Sequence, residues 1–386
     1  MTVLPQQFID YTSRLFGEET WQRYIDSFDE ETPVSIRLNR QTELAELLHL
    51  PIGERIPWSE RGYYLTERPA FTLDPLLHAG AYYVQEASSQ YLDEVLRLAT
   101  KGLDISYAAD FCAAPGGKTL ILKDHLPANA TLIANEYVRK RAWILAENIA
   151  KAMQGKPCQG IEDKDEKGCR NIIVTNNSTA DIARCGIVFD LIVCDVPCSG
   201  EGMFRKDRDT IKEWSMENVR RCAELQREIV SNAWQCLREG GILVYSTCTF
   251  NQYEDEDNLQ YIIEELGGEI AVSPRKFIPG TDKGEGQFMV AVRRKATQNK
   301  TAKANAKAAL KNLSPIPLST FHFPLSIDVS LQDALNYLRG QAIILPPETP
   351  KGIVAICYKG HFLGTAKNIG SRANNLYPKE WRIKHL

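Results

Sequence analysis

The sequence lacks any run of apolar residues long enough to cross a membrane, which takes about 18 or more. Its first residues, MTVLPQQFIDYTSRLF, contain neither the basic nor the apolar region of a signal peptide. Ten cysteines form no paired CxxC set, and six histidines have no metal-ligand spacing, so no metal site is expected. We therefore expect a cytoplasmic protein without a membrane anchor, whose cysteines are reduced thiols.

A nucleotide-hydrolase loop is also absent. Gly-Lys-Thr occurs at residues 117–119, but such a loop requires a glycine five residues before its Gly-Lys, where this chain has Cys112. Backbone N–H groups wrap around a phosphate only where glycine permits the necessary φ and ψ angles. We therefore do not expect this loop to hydrolyse ATP or GTP.

The composition is that of a globular protein, with 386 residues of which 44% are apolar and 25% charged. A chain of this length suggests two or three domains. A net charge of −3 favours no class of partner, but the segment from Arg293 to Lys311 contains seven basic residues and no acidic one. That segment is either a solvated linker or a surface that contacts phosphate.

The middle of the chain alternates strand and helix patterns, as in a parallel sheet with helices on both faces. Strand patterns occur at residues 105–111, 130–136, 171–176, 190–195 and 241–248. A helix pattern that starts at Met216 runs to a predicted stop at Gly240 and Gly241. Residues 287–295 form a last strand pattern, which we predict to be antiparallel and at the edge. We therefore predict a Rossmann-like, doubly wound α/β domain over residues 101–296.

Sites in such folds lie at the carboxyl ends of the strands. The first predicted strand is followed by a turn of small residues that lets a ligand approach the backbone: Cys112, Ala113, Ala114, Pro115, Gly116, Gly117 and Lys118. Glu136 ends the second strand 20 residues after Gly116, a separation at which an acid commonly binds a ribose diol. A tight structural corner is the alternative, but turn and acid together favour a cofactor that contains ribose.

Two cysteines follow neighbouring strands of the predicted sheet. Cys198 lies in DVPCSGEGMFRK after the fourth strand, and Cys248 lies in YSTCTF at the end of the fifth. A single cysteine is most often a small buried apolar residue. Two cysteines at the active edge of one sheet, one of them close to Asp195, favour thiol chemistry.

The sequences CAAPGGKT, DVPCSGEGMFRK and YSTCTF, in this order on such a sheet, resemble the RNA 5-methylcytosine methyltransferases of the Nop/Sun group. The chain as a whole resembles the bacterial, RsmF-like branch of that group. TPVSIRLNR and AYYVQEASSQ resemble the group's N-terminal region, and the tail from about residue 320 resembles its RNA-binding module.

The resemblance implies S-adenosyl-L-methionine as cofactor and RNA as substrate, either 16S rRNA or the small ribosomal subunit. A related alternative is methylation of tRNA, since nothing in these motifs names the nucleotide. An alternative of another class is a ribosome assembly factor that binds RNA and has lost catalysis. The intact cysteine pair speaks against that last alternative.

Two cysteines suit methylation at carbon 5 of cytosine, which is a poor nucleophile. A thiolate that adds to carbon 6 turns the ring into an enamine whose carbon 5 can attack a methyl group. A carboxyl group such as that of Asp195 suits the charge that develops at ring nitrogen 3. Chemistry alone does not say which cysteine attacks. The resemblance assigns attack to Cys248 and product release to Cys198, whereas DNA cytosine methyltransferases attack from a Pro-Cys sequence like residues 197–198.

The resemblance also implies cofactor contacts. Residues 112–118 would bind the methionine end and backbone of the cofactor, Glu136 would bind its ribose, and Asp195 would lie between cofactor and base. Arg141 matches a basic position that steadies the same wall. Many relatives carry an aspartate after the third strand where this chain has Asn176, so an amide or a hydroxyl is expected near the adenine.

The outer parts of the chain are predicted from weaker patterns. Residues 1–100 form an α+β region that covers the catalytic domain or contacts RNA, and residues 297–318 form a basic linker. Residues 319–386 form a small β-rich, PUA-like module that binds RNA, with a β-domain lacking a ligand as the alternative. The basic residues of this tail are Lys359, Lys367, Arg372, Lys379, Arg382 and Lys384. No role is predicted for the polar insertion at 155–167, and a monomer is expected.

Overall fold

The computed structural model describes residues 3–154, 169, 171–296, 309–318 and 325–384. The insertion predicted at 155–167 lies outside the described residues, as do Lys300, Lys303 and Lys307 of the basic segment. The described residues contain three β-sheets, of four, eight and four strands. Within the same ranges, no helix combines the length and the apolar character needed to cross a membrane.

The N-terminal part contains an antiparallel sheet of four strands in the order β2-β3-β1-β4. Its elements are α1 (Gln6–Asp26), β1 (Val34–Leu38), β2 (Ile52–Arg55), β3 (Gly62–Leu65), α2 (Pro75–His78), β4 (Tyr82–Val84) and α3 (Leu92–Ala99). Phe8 and Tyr24 of α1 are buried in one apolar cluster with Phe204, Trp214 and Phe250 of the central domain. This packing fixes α1 against the two segments that follow the cysteine strands.

The central sheet has eight strands in the order β10-β11-β9-β8-β5-β6-β7-β12. Its strands are β5 (Tyr107–Asp110), β6 (Thr131–Asn135), β7 (Asn171–Thr175), β8 (Phe189–Asp195), β9 (Leu237–Thr247), β10 (Gly268–Phe277), β11 (Gln287–Arg294) and β12 (Pro315–Ile316). Its helices are α4 (Gly117–His125), α5 (Arg139–Gln154), α6 (Thr179–Arg184), α7 (Arg208–Glu213), α8 (Met216–Cys236) and α9 (Glu256–Glu264). Within this sheet, β5, β6, β7, β8 and β9 form a parallel group, because each pair of neighbours in the group runs in the same direction.

Helices cover both faces of this sheet. One apolar core packs α3, α4 and α5 on one face, and a second packs α6, α8 and α9 on the other. Successive strand residues alternate between the two cores, as Leu191 and Ile192 do in β8. Because both faces are buried, the strands are apolar throughout, which is why they could be recognised in the sequence. The predicted doubly wound α/β fold is confirmed.

The prediction that the last strand lies at the edge is wrong. β11 is antiparallel to β9, as expected, but β10 pairs with its other side and is itself the edge strand. β10 has two register shifts and a mostly accessible surface, and it contains Pro274. An edge strand tolerates proline and charge, so it lacks the apolar run that identifies an internal strand.

The predicted helix stop at Gly240 and Gly241 is also wrong. α8 ends at Cys236, and β9 begins at the next residue and contains both glycines. The register between β8 and β9 shifts at this point, and Gly240 adopts a φ of 73°. A Cβ on Gly241 would lie 3.0 Å from the carbonyl oxygen of Asp190. The glycines therefore form a bulge at the start of the strand that carries Cys248.

β12 lies within the segment predicted as a linker, and it extends the central sheet by pairing with β7. The C-terminal part follows with β13 (Ser326–Asp328), α10 (Leu331–Leu338), β14 (Gly352–Tyr358), β15 (His361–Asn368) and β16 (Ala373–Asn375). Its sheet has the order β13-β14-β15-β16, and its core includes Ala79 from the N-terminal part. The residue boundaries of the predicted domains stay predictions.

Candidate active site

The turn after β5 is shaped by its backbone and by α5. The Ala114–Pro115 peptide bond is cis, and Gly116 has a φ of 118°, which favours glycine. Nη2 of Arg141 donates a hydrogen bond to the carbonyl oxygen of Ala114 at 2.8 Å. Nδ2 of Asn148 donates to the carbonyl oxygen of Pro115 at 2.8 Å. Two side chains of α5 thus hold the turn in place.

The turn leads into the N-terminus of α4 at Gly117. Among the described residues, no side chain caps this helix end. The first N–H groups of a helix have no partner within the helix, and with the helix dipole they favour an anionic group. A Cβ at Gly117 would lie 3.0 Å from Nε2 of Gln85 and 3.1 Å from Cε1 of Tyr83. A side chain there would press against these two residues of the N-terminal part, so glycine gives the closest approach without displacing them.

Glu136 follows β6 and is 3% exposed. Its Oε1 accepts a hydrogen bond from the N–H of Val138 at 2.9 Å. Its Oε2 lies 3.4 Å from Nη1 of Arg141 but accepts no hydrogen bond from the described residues. A buried carboxylate oxygen without a donor is costly, and a ribose hydroxyl would supply one.

Asn176 follows β7, at the position predicted to lie near the adenine. Its Nδ2 donates to the carbonyl oxygens of Glu136 at 2.7 Å and of Tyr137 at 2.8 Å. The amide therefore supports the backbone that carries Glu136. A contact between Asn176 and adenine stays a prediction.

Asp195 lies at the end of β8 and contacts residues on either side, Lys118 of the turn and Ser246 of β9. Its Oδ2 lies 2.9 Å from Nζ of Lys118, and its Oδ1 accepts a hydrogen bond from Oγ of Ser246 at 2.9 Å. Lys118 also donates to Oγ of Ser89 in the N-terminal part, at 2.9 Å. The Asp195 side chain remains about one third exposed, at 32%. A ligand could therefore reach this carboxylate between the turn and the cysteines.

The two predicted cysteines meet at this edge of the sheet. Cys198 and Cys248 are both free thiols, and their Sγ atoms lie 2.6 Å apart. The N–H of Cys248 donates to Sγ of Cys198 at 3.3 Å. The hydrogen bond with Cys248, together with burial, raises the pKa of Cys198 well above its usual value. Cys198 therefore retains its proton and can donate it toward the sulfur of Cys248.

Two buried glutamates hold the cysteine segments, and the sequence reading did not identify them. Oε2 of Glu201 accepts hydrogen bonds from Oγ1 of Thr249 at 2.5 Å, from the N–H of Phe250 at 2.9 Å and from the N–H of Asn251 at 3.0 Å. The N–H of the next residue, Gly202, donates to the carbonyl oxygen of Cys248 at 2.9 Å. The segment after Cys198 thereby fixes the segment after Cys248.

Glu254, in the segment after Cys248, in turn holds the segment after Cys198. Its Oε2 accepts the N–H of Ser199 at 3.0 Å and Nε2 of Gln226 at 2.6 Å. Its Oε1 accepts Nδ2 of Asn251 at 2.8 Å. Burial raises the pKa of Glu254 to about 7, against the lowering effect of these donors. The only signal in the sequence was an acidic residue shortly after each cysteine, which is common on any surface.

Asp110, the last residue of β5, was also missed. Its Oδ2 accepts Oγ1 of Thr119 at 2.7 Å, and its Oδ1 has no hydrogen-bond partner among the described residues. Burial raises the pKa of Asp110 to about 7. Burial and the carboxylates of Asp110, Glu136 and Asp195 also raise the pKa of Cys112, so that thiol stays neutral. The rule that identified Glu136, an acid at a strand's carboxyl end, applies equally to Asp110.

The central fold is that of a Rossmann-like methyltransferase. The crystal structure of NSun6 from Pyrococcus horikoshii with SFG superposes with a TM-score of 0.62 at 19% identity, covering 77% of this chain and all of that one. A methyltransferase homolog protein from Pyrococcus horikoshii superposes with a TM-score of 0.56 at 24% identity, covering 75% of this chain and all of that one. At these identities the likeness concerns the fold alone.

The chain belongs to the family described as 16S rRNA methyltransferase RsmB/F, which matches residues 98–294, just over half of the sequence. The N-terminal domain of 16S rRNA methyltransferase RsmF matches residues 4–87, and the methyltransferase RsmF PUA domain matches residues 324–383. The predicted resemblance is confirmed for all three parts. The family is one of S-adenosyl-L-methionine-dependent methyltransferases, which confirms the predicted cofactor.

Curated relatives carry the name ribosomal RNA small subunit methyltransferase F. The protein from Escherichia fergusonii is 34% identical over 261 residues, which are 64% of this chain and 51% of that protein. The protein from Aliivibrio fischeri is 32% identical over 226 residues, which are 57% of this chain and 44% of that protein. The chain thus spans about half the length of the curated relatives it matches.

Proposed function

We propose that this protein methylates carbon 5 of a cytosine in ribosomal RNA, with 16S rRNA of the small subunit as the substrate. The observation that carries the proposal is the pair of neighbouring thiols, Cys198 and Cys248, at the edge of the sheet where β8 ends at Asp195. The names of the curated relatives support ribosomal RNA over tRNA. We also propose that the protein acts as a monomer in the cytoplasm.

The residues of the turn fit S-adenosyl-L-methionine. Oε2 of Glu136 would accept a ribose hydroxyl, because it is buried and no described residue donates a hydrogen bond to it. The N–H groups at the N-terminus of α4 would bind the carboxylate of the methionine end. When bound, the cofactor supplies an electrophilic methyl group. Arg141 acts indirectly, through its contacts with the carbonyl oxygen of Ala114 and with Glu136.

Cys248 would perform the nucleophilic attack. Its thiolate adds to carbon 6 of cytosine, and the electron pair of the ring double bond becomes available for carbon 5 to form the new bond to methyl. The S–H of Cys198, 2.6 Å from Sγ of Cys248, stabilises the thiolate before addition. As the thiolate adds, negative charge develops at ring nitrogen 3, and the carboxyl group of Asp195 would take up that charge by giving this nitrogen a proton, which it recovers when the ring is restored.

Product release would depend on Cys198. The carbon 5 proton must leave, and the sulfur–carbon 6 bond must break, to restore the aromatic ring. A group beside the departing sulfur can direct a water that accepts the carbon 5 proton and can hydrogen-bond to the sulfur as the bond breaks. Each cysteine sulfur contacts the other, so the contact fits a second thiol at the point of release, and the assignment of attack to Cys248 and release to Cys198 comes from the family resemblance.

The direct test of the function uses RNA from a strain in which the gene is deleted. Purified protein is incubated with that RNA and methyl-labelled cofactor, and 5-methylcytosine is then mapped. Label on cytosine carbon 5 of 16S rRNA is the expected result. Label on tRNA would establish the tRNA alternative, and binding without label would indicate an assembly factor.

Glu136→Ala is expected to weaken binding of S-adenosyl-L-methionine by about 1.5 to 3 kcal/mol, because hydrogen bonds to a charged acceptor are lost. Isothermal titration calorimetry measures the change. Glu147→Ala removes a carboxylate of α5 that pairs with Lys151, and it should leave the affinity unchanged. Equal affinities for the two variants would exclude the ribose contact.

The basic C-terminal module is expected to contribute to RNA binding through phosphate contacts. Lys359 and Lys367 are exposed, and replacing both by alanine should lower the slope of log K against log salt concentration by about 1.4 to 2. Filter binding to a 16S rRNA transcript measures this slope. The control replaces the exposed Lys101 and Arg184 of other surfaces. Equal slopes for both double variants would place the RNA surface elsewhere.

A further inference from the structure

A cavity of about 350 Å³ lies between the N-terminal sheet and the segment that follows Cys198. The polar residues that line it are Thr32, Ser35, Arg68, Gln85, Glu86, Arg205 and Lys206. Three of these side chains are cationic and one is acidic. Cavities of this size bind small ligands or parts of larger ones, and the charges here favour an anion.

Among the described residues, Glu86 forms no ion pair with the three cations of this cavity. Its Oε1 accepts the N–H of Glu285 at 2.8 Å. Its Oε2 accepts Oγ of Ser88 at 2.5 Å and the N–H of Ser89 at 2.9 Å. With three cationic side chains and one carboxylate, the lining has a net positive charge.

Arg205 is buried but loosely held. Its side chain is 4% exposed, and its Nε has no hydrogen-bond partner among the described residues. Its nearest ion-pair contact is Oε1 of Glu285, at 3.6 Å from Nη1. Its Nη2 lies 3.5 Å from the carbonyl oxygens of Glu30 and Glu31, at the limit of a hydrogen bond. Burial raises the pKa of Glu285 to about 7, which weakens it as a counter-ion for Arg205 near neutral pH.

The position of the cavity relates it to the methylation site. Gln85 lines it, and a Cβ placed on Gly117 at the N-terminus of α4 would lie 3.0 Å from Nε2 of Gln85. Arg205, which also lines it, lies three residues after Gly202, whose N–H donates to the carbonyl oxygen of Cys248. The cavity therefore has one lining residue close to the start of α4 and another in the segment that is bonded to Cys248.

We propose that this cavity binds a phosphate group of the RNA strand next to the target cytosine. The inference rests on the proposed function. A base that undergoes chemistry leaves its stack, and its own strand must then be held at the phosphates that flank it. The planar guanidinium of Arg205 suits a bidentate contact with phosphate, and Lys206 and Arg68 are exposed at the same cavity, where they add charge.

Lys206→Ala and Arg68→Ala test the proposal, because both side chains are exposed and their removal should not affect folding. Filter binding of the full chain to a 16S rRNA transcript, at several salt concentrations, is the measurement. Each variant should lower the slope of log K against log salt concentration by about 0.7 to 1. Arg205→Lys, which keeps the charge but loses the planar fork, should raise KM for RNA severalfold. Lys212→Ala, at a 77% exposed site on α7, is the matched control.

Calorimetry with S-adenosyl-L-methionine and with inorganic phosphate shows whether the cavity binds a group of the cofactor or a phosphate. Unchanged cofactor affinity in the variants is expected. Slopes equal to that of the control would overturn the proposal, as would a loss of cofactor affinity with an unchanged slope. Inorganic phosphate that binds without competing with RNA would also overturn it. If the proposed function is wrong, wild-type protein will transfer no label to RNA, whatever the salt slopes of the variants are. That result differs from every outcome that would overturn the phosphate site alone.

Discussion

Cys198→Ala is expected to leave the protein covalently bonded to its RNA, whereas Cys248→Ala should form neither adduct nor product. In the first variant Sγ of Cys248 is intact and can still add to carbon 6, but the group in contact with the departing sulfur is lost. In the second variant the nucleophile itself is absent. Denaturing gels with labelled 16S rRNA would show the adduct as a slowly migrating band, and turnover should fall by several orders of magnitude in both variants.

The matched control is Cys222→Ala, which removes a partly buried thiol of α8 that is not part of the pair. It should show normal turnover and no trapped adduct. A trapped adduct in Cys248→Ala and none in Cys198→Ala would exchange the two roles and align this protein with the DNA enzymes. Normal methylation in both variants would reject covalent catalysis.

The hydrogen bond with Cys248, together with burial, raises the pKa of Cys198 well above its usual value, so Cys198 remains protonated at neutral pH. Its S–H can then donate to Sγ of Cys248, which lies 2.6 Å away. The Cys198→Ala variant would lose this S–H donor, so we expect its adduct to form more slowly than in the wild type at the same pH.

Those site residues whose positions follow from a local sequence pattern could be predicted from the sequence. The turn at 112–118, Glu136, Asp195 and the cysteines follow the carboxyl ends of apolar strands, and parallel strands bring such residues to one edge. Asp110 satisfies the same rule and could have been included. The buried strands were recognisable because packing on both faces requires apolar residues throughout.

The residues that support the site could not be predicted in this way. Glu201 and Glu254 are buried charges whose donors come from segments about 50 residues away in the chain, and no local pattern reports such pairing. The amide of Asn176 also bonds to the backbone after β6, which its position in the sequence did not predict, and its contact with adenine stays a prediction. The bulge at Gly240 and the edge strand β10 depend on pairing between strands, which composition does not determine.

The buried glutamates also explain how two flexible segments keep their sulfurs in contact. A buried carboxylate is costly unless donors surround it, so moving either segment would leave Glu201 or Glu254 unsatisfied. Thr249, Phe250 and Asn251 bond to one carboxylate, and Ser199 bonds to the other. Each segment therefore holds the other, and Cys198 and Cys248 lie next to the anchored residues.

Asp195→Asn is expected to lower kcat for methylation by about 10² to 10³, the range found when one preorganised group that stabilises developing charge is removed. The neutral amide cannot transfer a proton to ring nitrogen 3 as a carboxyl group can. It also deprives Nζ of Lys118, a side chain that is 9% exposed, of its ion pair at 2.9 Å. Single-turnover kinetics with saturating cofactor and RNA would measure the methylation step itself.

The control lies on the same strand. Asp190→Asn, near the start of β8, removes a carboxylate that accepts hydrogen bonds from the N–H groups of Ser106 and Tyr107. It should lower the melting temperature and leave kcat unchanged, since that end of the strand is remote from the cysteines. If Asp195→Asn behaved like the control, with a stability change and normal kcat, Asp195 would serve only to position Lys118. A loss of activity that disappears as the cofactor concentration rises would instead place the role of Asp195 in cofactor binding.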